Sequence, residues 1–149
     1  MYKIILIIII IISYQPVSSS SENNYYLMLK NNKVYVRYGP NKNYPIKFVY
    51  KKKFLPVKVI DKKDNFRKII DHKKNSGWIH RVMLKQSNSL IVLEDKIVFK
   101  KNSKLSKPLV KLEKGRLVLV KKCMPEWCKI KTGKFVGWIE TKNIWGKVN

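Results

Sequence analysis

The chain has 149 residues, 45% of them hydrophobic and 11% aromatic, a composition that excludes an apolar-poor disordered chain and implies a packed core. That length holds one ordinary domain or two very small ones and excludes most multi-domain enzymes. Charge is the outlier: 33 Lys and Arg against 9 Asp and Glu give +24, so partners held by electrostatics are anionic. All of these cations except Arg37, Arg67, Arg81 and Arg116 are lysine. Arginine's bidentate fork is the usual grip on phosphate. The lysine excess therefore fits a compositional bias of the genome as well as it fits a dedicated anionic ligand.

Residues 1–20 have the parts of a secretory signal peptide: Lys3, an unbroken apolar run from Ile4 to Ile12, Pro16, and small residues from Val17 to Ser21. The apolar run is shorter than the roughly 20 residues that cross a bilayer core, so cleavage near Ser19 or Ser20 is expected, with an uncleaved anchor or a buried strand as the alternative. No cysteine follows the run for lipid attachment, and no second run of transmembrane length occurs downstream. A periplasmic or secreted product with no transmembrane segment after cleavage is the expectation.

The rest of the chain reads as short strands separated by Gly, Pro, Asn and Asp, with almost no helical period. Tyr26 to Leu29, Val34 to Arg37, Leu55 to Ile60, Phe66 to Ile70 and Gly77 to His80 are each rich in β-branched and aromatic residues. The order then repeats in Ile97 to Phe99, Arg116 to Val120, Trp127 to Ile130 and Gly137 to Glu140. Setting Gly77-Trp78-Ile79 on Gly137-Trp138-Ile139 also aligns Leu84 with Ile144 and, with a shift of one residue, Phe66 with Trp127. This is an internal duplication. The Asp95-Lys96 neighbourhood reads as the linker, and the apolar run Leu90-Ile91-Val92-Leu93 as a strand joining the copies. Cys123 and Cys128 flank the turn residues Pro125 and Glu126, which sets them facing across a β-hairpin. In an oxidising compartment that spacing predicts a disulfide; free thiols are the alternative, and a zinc site lacks its remaining ligands.

Val36-Arg37-Tyr38-Gly39-Pro40, Tyr44-Pro45-Ile46, Leu55 to Ile60, Phe66 and Gly77-Trp78-Ile79-His80 together resemble the bacterial Src-homology-3-like domain, and more narrowly the small secreted proteins built from two tandem copies of it. The likeness covers about residues 26 to 145. It is weaker in the second copy, where Val98-Phe99-Lys100-Lys101 lacks the opening Gly-Pro. Phe54 stands where such domains often place Gly, and Phe66 where they often place Trp. The resemblance implies an all-β fold of two tandem small SH3-like β-barrels after a cleaved signal peptide, the first over residues 26–86 and the second over 90–146. Physical reasons fit each motif: Gly39 is free to take a positive φ at a sharp turn, Gly77 allows close backbone approach, and Trp78 is large enough to fill a small barrel.

Catalytic chemistry is nearly absent from the sequence. His72 and His80 have no Ser or Cys nucleophile nearby, Asp61, Asp64 and Asp71 read as turn residues, and no Gly-rich phosphate loop opens a helix. No catalytic residue, metal ligand or cofactor is assigned. The expected function is a non-enzymatic binding or scaffolding module of the cell envelope, recognising peptidoglycan peptide or an envelope protein segment. Its site is expected in a groove of the first copy lined by Tyr38, Tyr44, Phe48 and Tyr50, since tyrosine offers a flat apolar face and a hydroxyl at small entropic cost; the alternative is that Tyr44 and Phe48 plug the barrel's end. The lysine runs Lys51-Lys52-Lys53, Lys62-Lys63, Lys73-Lys74, Lys100-Lys101 and Lys121-Lys122 read as a solvated face. Anionic lipid or polysaccharide surfaces are a second class of partner, and nucleic acid is disfavoured by secretion. A basic nucleic-acid-binding protein and a cofactor-free hydrolase are the competing readings.

Overall fold

The computed structural model describes residues 25–147; the expected signal peptide at 1–20 lies outside the described residues. Fourteen strands follow in order: β1 Tyr25–Leu29, β2 Val34–Arg37, β3 Ile46–Tyr50, β4 Pro56–Lys63, β5 Phe66–Ile70, β6 Ser76–His80, β7 Leu84–Gln86, β8 Ser89–Val92, β9 Lys96–Phe99, β10 Pro108–Leu112, β11 Leu117–Cys123, β12 Trp127–Thr132, β13 Phe135–Glu140 and β14 Ile144–Trp145. They form two seven-stranded sheets of orders β3-β2-β6-β5-β4-β1-β7 and β10-β9-β13-β12-β11-β8-β14. The two orders are identical once each strand is advanced by seven. The duplication read from sequence is thus a duplication of topology, and the fold is the expected pair of tandem SH3-like units.

Register carries the correspondence to single residues. Phe66 pairs with His80, and Trp127 with Glu140, so the Phe66 and Trp127 alignment holds. Even the irregularities recur. One bulge interrupts β4 against β5 between Val59 and Asp61, and its counterpart interrupts β11 against β12 between Val120 and Lys122. A second shifts β2 against β3 at Val36 and Arg37, and β10 against β9 between Pro108 and Val110. Bulges bend a strand and raise its twist, which lets a short sheet curl over its own core.

The cores follow the two-residue period of the strands. Val34, Val36, Val57, Val59, Ile69 and Ile79 fill the first; Val98, Val118, Val120, Ile130 and Ile139 fill the second. Gly77 faces inward to the first core and Gly137 to the second. A Cβ on Gly77 would meet the carbonyl oxygen of Arg37 at 3.0 Å, and one on Gly137 that of Phe99 at 2.6 Å. Because Gly77 and Ile79 take the inner face, Trp78 between them points outward and is only half-buried. The expectation that Trp78 fills the barrel is therefore corrected: Ile79 does so, and Trp78 pairs across the sheet with Arg37.

Two smaller expectations also change. Gly39 is not at positive φ; its lack of a side chain makes room for the ring of Tyr44, which occupies the space a Cβ would enter. The junction between the copies is Ser87-Asn88, between β7 and β8, while Glu94 and Asp95 lie in the β8–β9 connection. Phe54, in contrast, does hold a glycine-like conformation. Its φ is 65° against 85° at Gly115, and both amides donate back to the end of the first strand of their copy, Phe54 to Leu29 and Gly115 to Val92.

The copies are docked on each other. All four residues of β8 are buried; Ile91 belongs to the first core, while Leu90 and Val92 belong to the second. A strand buried on both faces reads as a continuous apolar run, which is why Leu90 to Leu93 looks as it does. Trp145 reaches back from β14, its indole N–H donating to Pro56 O at 3.0 Å and its ring meeting Tyr26 edge-on at 5.4 Å. The Ser89 hydroxyl donates to Phe54 O at 2.6 Å. Cys123 and Cys128 are paired across the end of the β11–β12 hairpin and joined as a disulfide.

Candidate functional site

The outer face of the first sheet carries an apolar groove of about 230 Å³ lined by Tyr35, Arg37, Lys42, Phe66, His80 and Met83. Alternation on β2 dictates this: Val34 and Val36 go into the core, so Tyr35 and Arg37 come out. Phe66 begins β5 and His80 ends β6 directly opposite it, their rings edge-to-face with centroids 5.0 Å apart. His80 Nδ1 accepts the Val82 amide at 3.4 Å, and Lys33 stands 5.2 Å from the centre of the Tyr35 ring. The loop between β2 and β3 is held as one wall. Tyr38 N donates to Pro45 O at 3.2 Å, and Arg37 Nη1 to Tyr44 O at 2.7 Å.

The second copy has a depression on the same face, about 260 Å³, where Ile97, Phe99 and Glu140 stand at the positions of Tyr35, Arg37 and His80. Its chemistry differs. Glu94, Asp95 and Lys104 line it as well, and Lys104 pairs with Glu140 at 3.0 Å. Hydrogen bonds from Lys96 and Asn143 hold the Glu94 carboxyl below its ordinary range, and bonds from Lys111 and the Lys114 amide do the same for Asp95.

The four residues singled out from sequence divide into two pairs. Phe48 and Tyr50 lie opposite Val36 and Val34 on β2, hence on the inward face, where they pack against the first core with ring centroids 5.1 Å apart. Tyr38 and Tyr44 sit in the β2–β3 loop with 62% and 43% of their surfaces exposed; Lys47 stands 5.7 Å from the centre of the Tyr38 ring. Sequence reasoning grouped them by proximity in the chain and passed over Tyr35, Phe66 and His80. The strand period at Val34-Tyr35-Val36 was the signal that separates outer from inner positions.

Tyr50 belongs to a polar cluster at the first core's edge. Its hydroxyl donates to Asp71 Oδ2 at 2.9 Å, and burial together with that carboxylate holds the phenol far above its ordinary pKa. Asp71 is 2% exposed and also accepts the amides of Lys73 and Asn75 and the Asn75 side chain. Beside it, His72 Nδ1 is buried without a hydrogen-bond partner. Burial lowers the His72 pKa, with Lys73 and Lys52 adding to the effect and Asp71 opposing it. Among the described residues, no group of three or more His, Cys, Asp or Glu is placed to hold a metal ion, and no helix is long and apolar enough to cross a membrane.

Solved structures with a related arrangement include NlpC2 from Trichomonas vaginalis (TM-score 0.38, 12% identity, covering 86% of this chain and 50% of that one) and NlpC1 from the same organism (0.38, 13%, 87% and 48%). An NlpC/P60 family protein from Bacillus cereus ATCC 10987 is similar at 0.38 and 10%, covering 81% of this chain and 56% of its own. This chain thus spans about half the length of those proteins. No curated protein matches it. The family described as bacterial SH3 domain matches twice, over residues 30–85 and 98–146, one match on each sheet. The chain belongs to the bacterial SH3 domain family.

Proposed function

We propose that the chain is a non-enzymatic binding module of the cell envelope, and that it takes a peptide segment, either a peptidoglycan peptide stem or part of an envelope protein, in the outer groove of the first copy. One observation carries this reading: both copies keep a depression at equivalent positions, and whereas the second adds Glu94, Asp95 and Glu140 to Ile97 and Phe99, the first has no carboxylate and is lined mostly by aromatic and apolar side chains. Flat rings over an apolar floor with cations at the rim suit a peptide carrying carboxylates. Tyr38 and Tyr44 contribute from the adjoining loop. His80 is occupied by the Val82 amide and the Phe66 ring, which fits binding better than proton transfer. The disulfide and the family fit an extracytoplasmic address.

Retention on purified peptidoglycan at two salt concentrations tests the proposal. Tyr35→Ala removes a 42% exposed ring and is expected to reduce retention several-fold at both salts with the melting temperature unchanged; Tyr38→Ala and Tyr44→Ala are expected to act in the same direction more weakly. Retention that vanishes at the higher salt and ignores Tyr35→Ala would reduce the interaction to adsorption of a +24 chain on an anionic polymer.

A further inference from the structure

Between the two copies lies a cavity of about 570 Å³, lined by none of the outer groove's residues and within the range of small-molecule sites. The first copy supplies Tyr50, Lys52 and the β5–β6 turn with His72 and Lys73; the second supplies the end of β8 and the β10–β11 turn with Lys114 and Gly115. A second depression of about 310 Å³ shares Lys52, Lys114 and Gly115 with it and extends the cleft to Arg116. The floor is apolar, built of Leu55, Val92 and Leu93.

Charge in this cleft is one-sided. Among the described residues, ion pairs join Lys96 to Glu94, Lys104 to Glu140 and Lys111 to Asp95; Lys52, Lys73, Lys114 and Arg116 have no carboxylate partner. Asp71 is the carboxylate inside the cavity, and four donors already saturate it. Its work is internal. It shapes the turn at residues 71–75, which sets His72 and Lys73 at the cavity and lets Lys74 stand 5.8 Å from the centre of the Trp145 ring in the second copy. Glu113 lines only the outer extension.

Both walls are also fixed before any ligand arrives. The copies share β8, and Trp145 and Ser89 bond across the junction, so the backbone positions that carry the cations are brought together before binding and only the lysine side chains are left to order. Neither copy alone would have the cleft. We infer that the junction of the two copies is a second binding site, one that takes a small multiply charged anion, carboxylate or phosphate, with its apolar part against Leu55, Val92 and Leu93. Lysine ammonium groups act as point charges without arginine's fixed fork, so the site recognises charge and size before it recognises the geometry of the anionic group.

Isothermal titration of the protein with citrate and, separately, with inorganic phosphate at fixed ionic strength tests the inference. Saturable binding at one site is expected, with the probe of higher affinity identifying the preferred headgroup. Lys52→Gln/Lys114→Gln is expected to weaken binding at least tenfold. Lys100→Gln/Lys101→Gln, an equal loss of charge elsewhere, is expected to change it less than twofold. Urea midpoints of both doubles confirm that these exposed lysines leave the fold intact. Tyr35→Ala in the outer groove should leave anion binding unaltered, so failure of one site is distinguishable from failure of the other. Equal weakening by the two doubles, or the absence of saturable binding by either probe, would overturn the inference.

Discussion

Replacing Asp71 by alanine tests whether one carboxylate organises the edge of the first core. Oδ1 accepts the Lys73 amide at 2.8 Å and the Asn75 amide at 2.9 Å. Oδ2 accepts the Tyr50 hydroxyl and the Asn75 side-chain amide, each at 2.9 Å. Hydrogen bonds to a charged group contribute about 1.5–3 kcal/mol each, but the four are not additive. Lys73 and Asn75 are exposed, so water replaces much of what they lose, whereas the half-buried Tyr50 hydroxyl is harder to hydrate. The same carboxylate also stabilises a turn in which Lys74 sits at φ 68°, a left-handed conformation that costs about 1–2 kcal/mol in a residue with a Cβ. Asp71→Ala is therefore expected to cost about 3 kcal/mol. Asp71→Asn keeps an oxygen for the two backbone amides and loses only the acceptor facing Tyr50 and Asn75; about 1 kcal/mol is expected. Urea unfolding followed by tryptophan fluorescence, with midpoints compared at constant slope, measures both. An Asp71→Ala midpoint matching wild type, or equal losses for the two variants, would refute the reasoning.

Gly77→Ala is expected to destabilise by about 2 kcal/mol, because the new methyl meets the Arg37 carbonyl oxygen and the fully buried Val36; Gly133→Ala, with open space but φ 54°, serves as the conformational control, and thermal melts rank the two. Stability is also expected to depend on pH through His72. Its folded pKa lies below the ordinary 6.5, so between those two values the unfolded chain binds the proton and the native chain does not. Stability then falls as pH drops below about 6.5 and levels off beneath the folded value. Urea midpoints across that window should show a slope that His72→Gln flattens, and an unaltered slope would assign the dependence to other groups.

Much of the architecture was legible because it rests on local pattern. Alternation at Val34-Tyr35-Val36 and the recurring Gly-Trp-Ile triplet mark strands and a repeat without any knowledge of contacts. The strands missed, β3, β7, β10 and β14, are those whose pattern is masked: Ile46 and Lys47 are both exposed at the start of β3, β7 has a single buried residue, and β14 is two residues long with neither fully buried. In the second copy Lys96 takes the place of Val34 and is buried only because Glu94 neutralises it at 2.9 Å, a pairing that a hydropathy pattern does not reveal. Trp78 was misplaced for a related reason. Size argued for the core, but its two neighbours already occupied the inward positions.

By itself the sequence determined the all-β class, the duplication, the cysteine pairing across its hairpin and the excess of positive charge, since each follows from residue type and spacing along the chain. Only the tertiary structure decided which aromatic rings share a surface. Tyr35, Phe66 and His80 come from three strands, and their meeting depends on the order in which β2, β6 and β5 pair. It also decided that Ile91 and Leu90, adjacent in sequence, serve different cores, and that Lys52, Lys73 and Lys114 converge between the copies. These are long-range placements set by register and by the docking of one sheet on the other, and no local period along the chain encodes them.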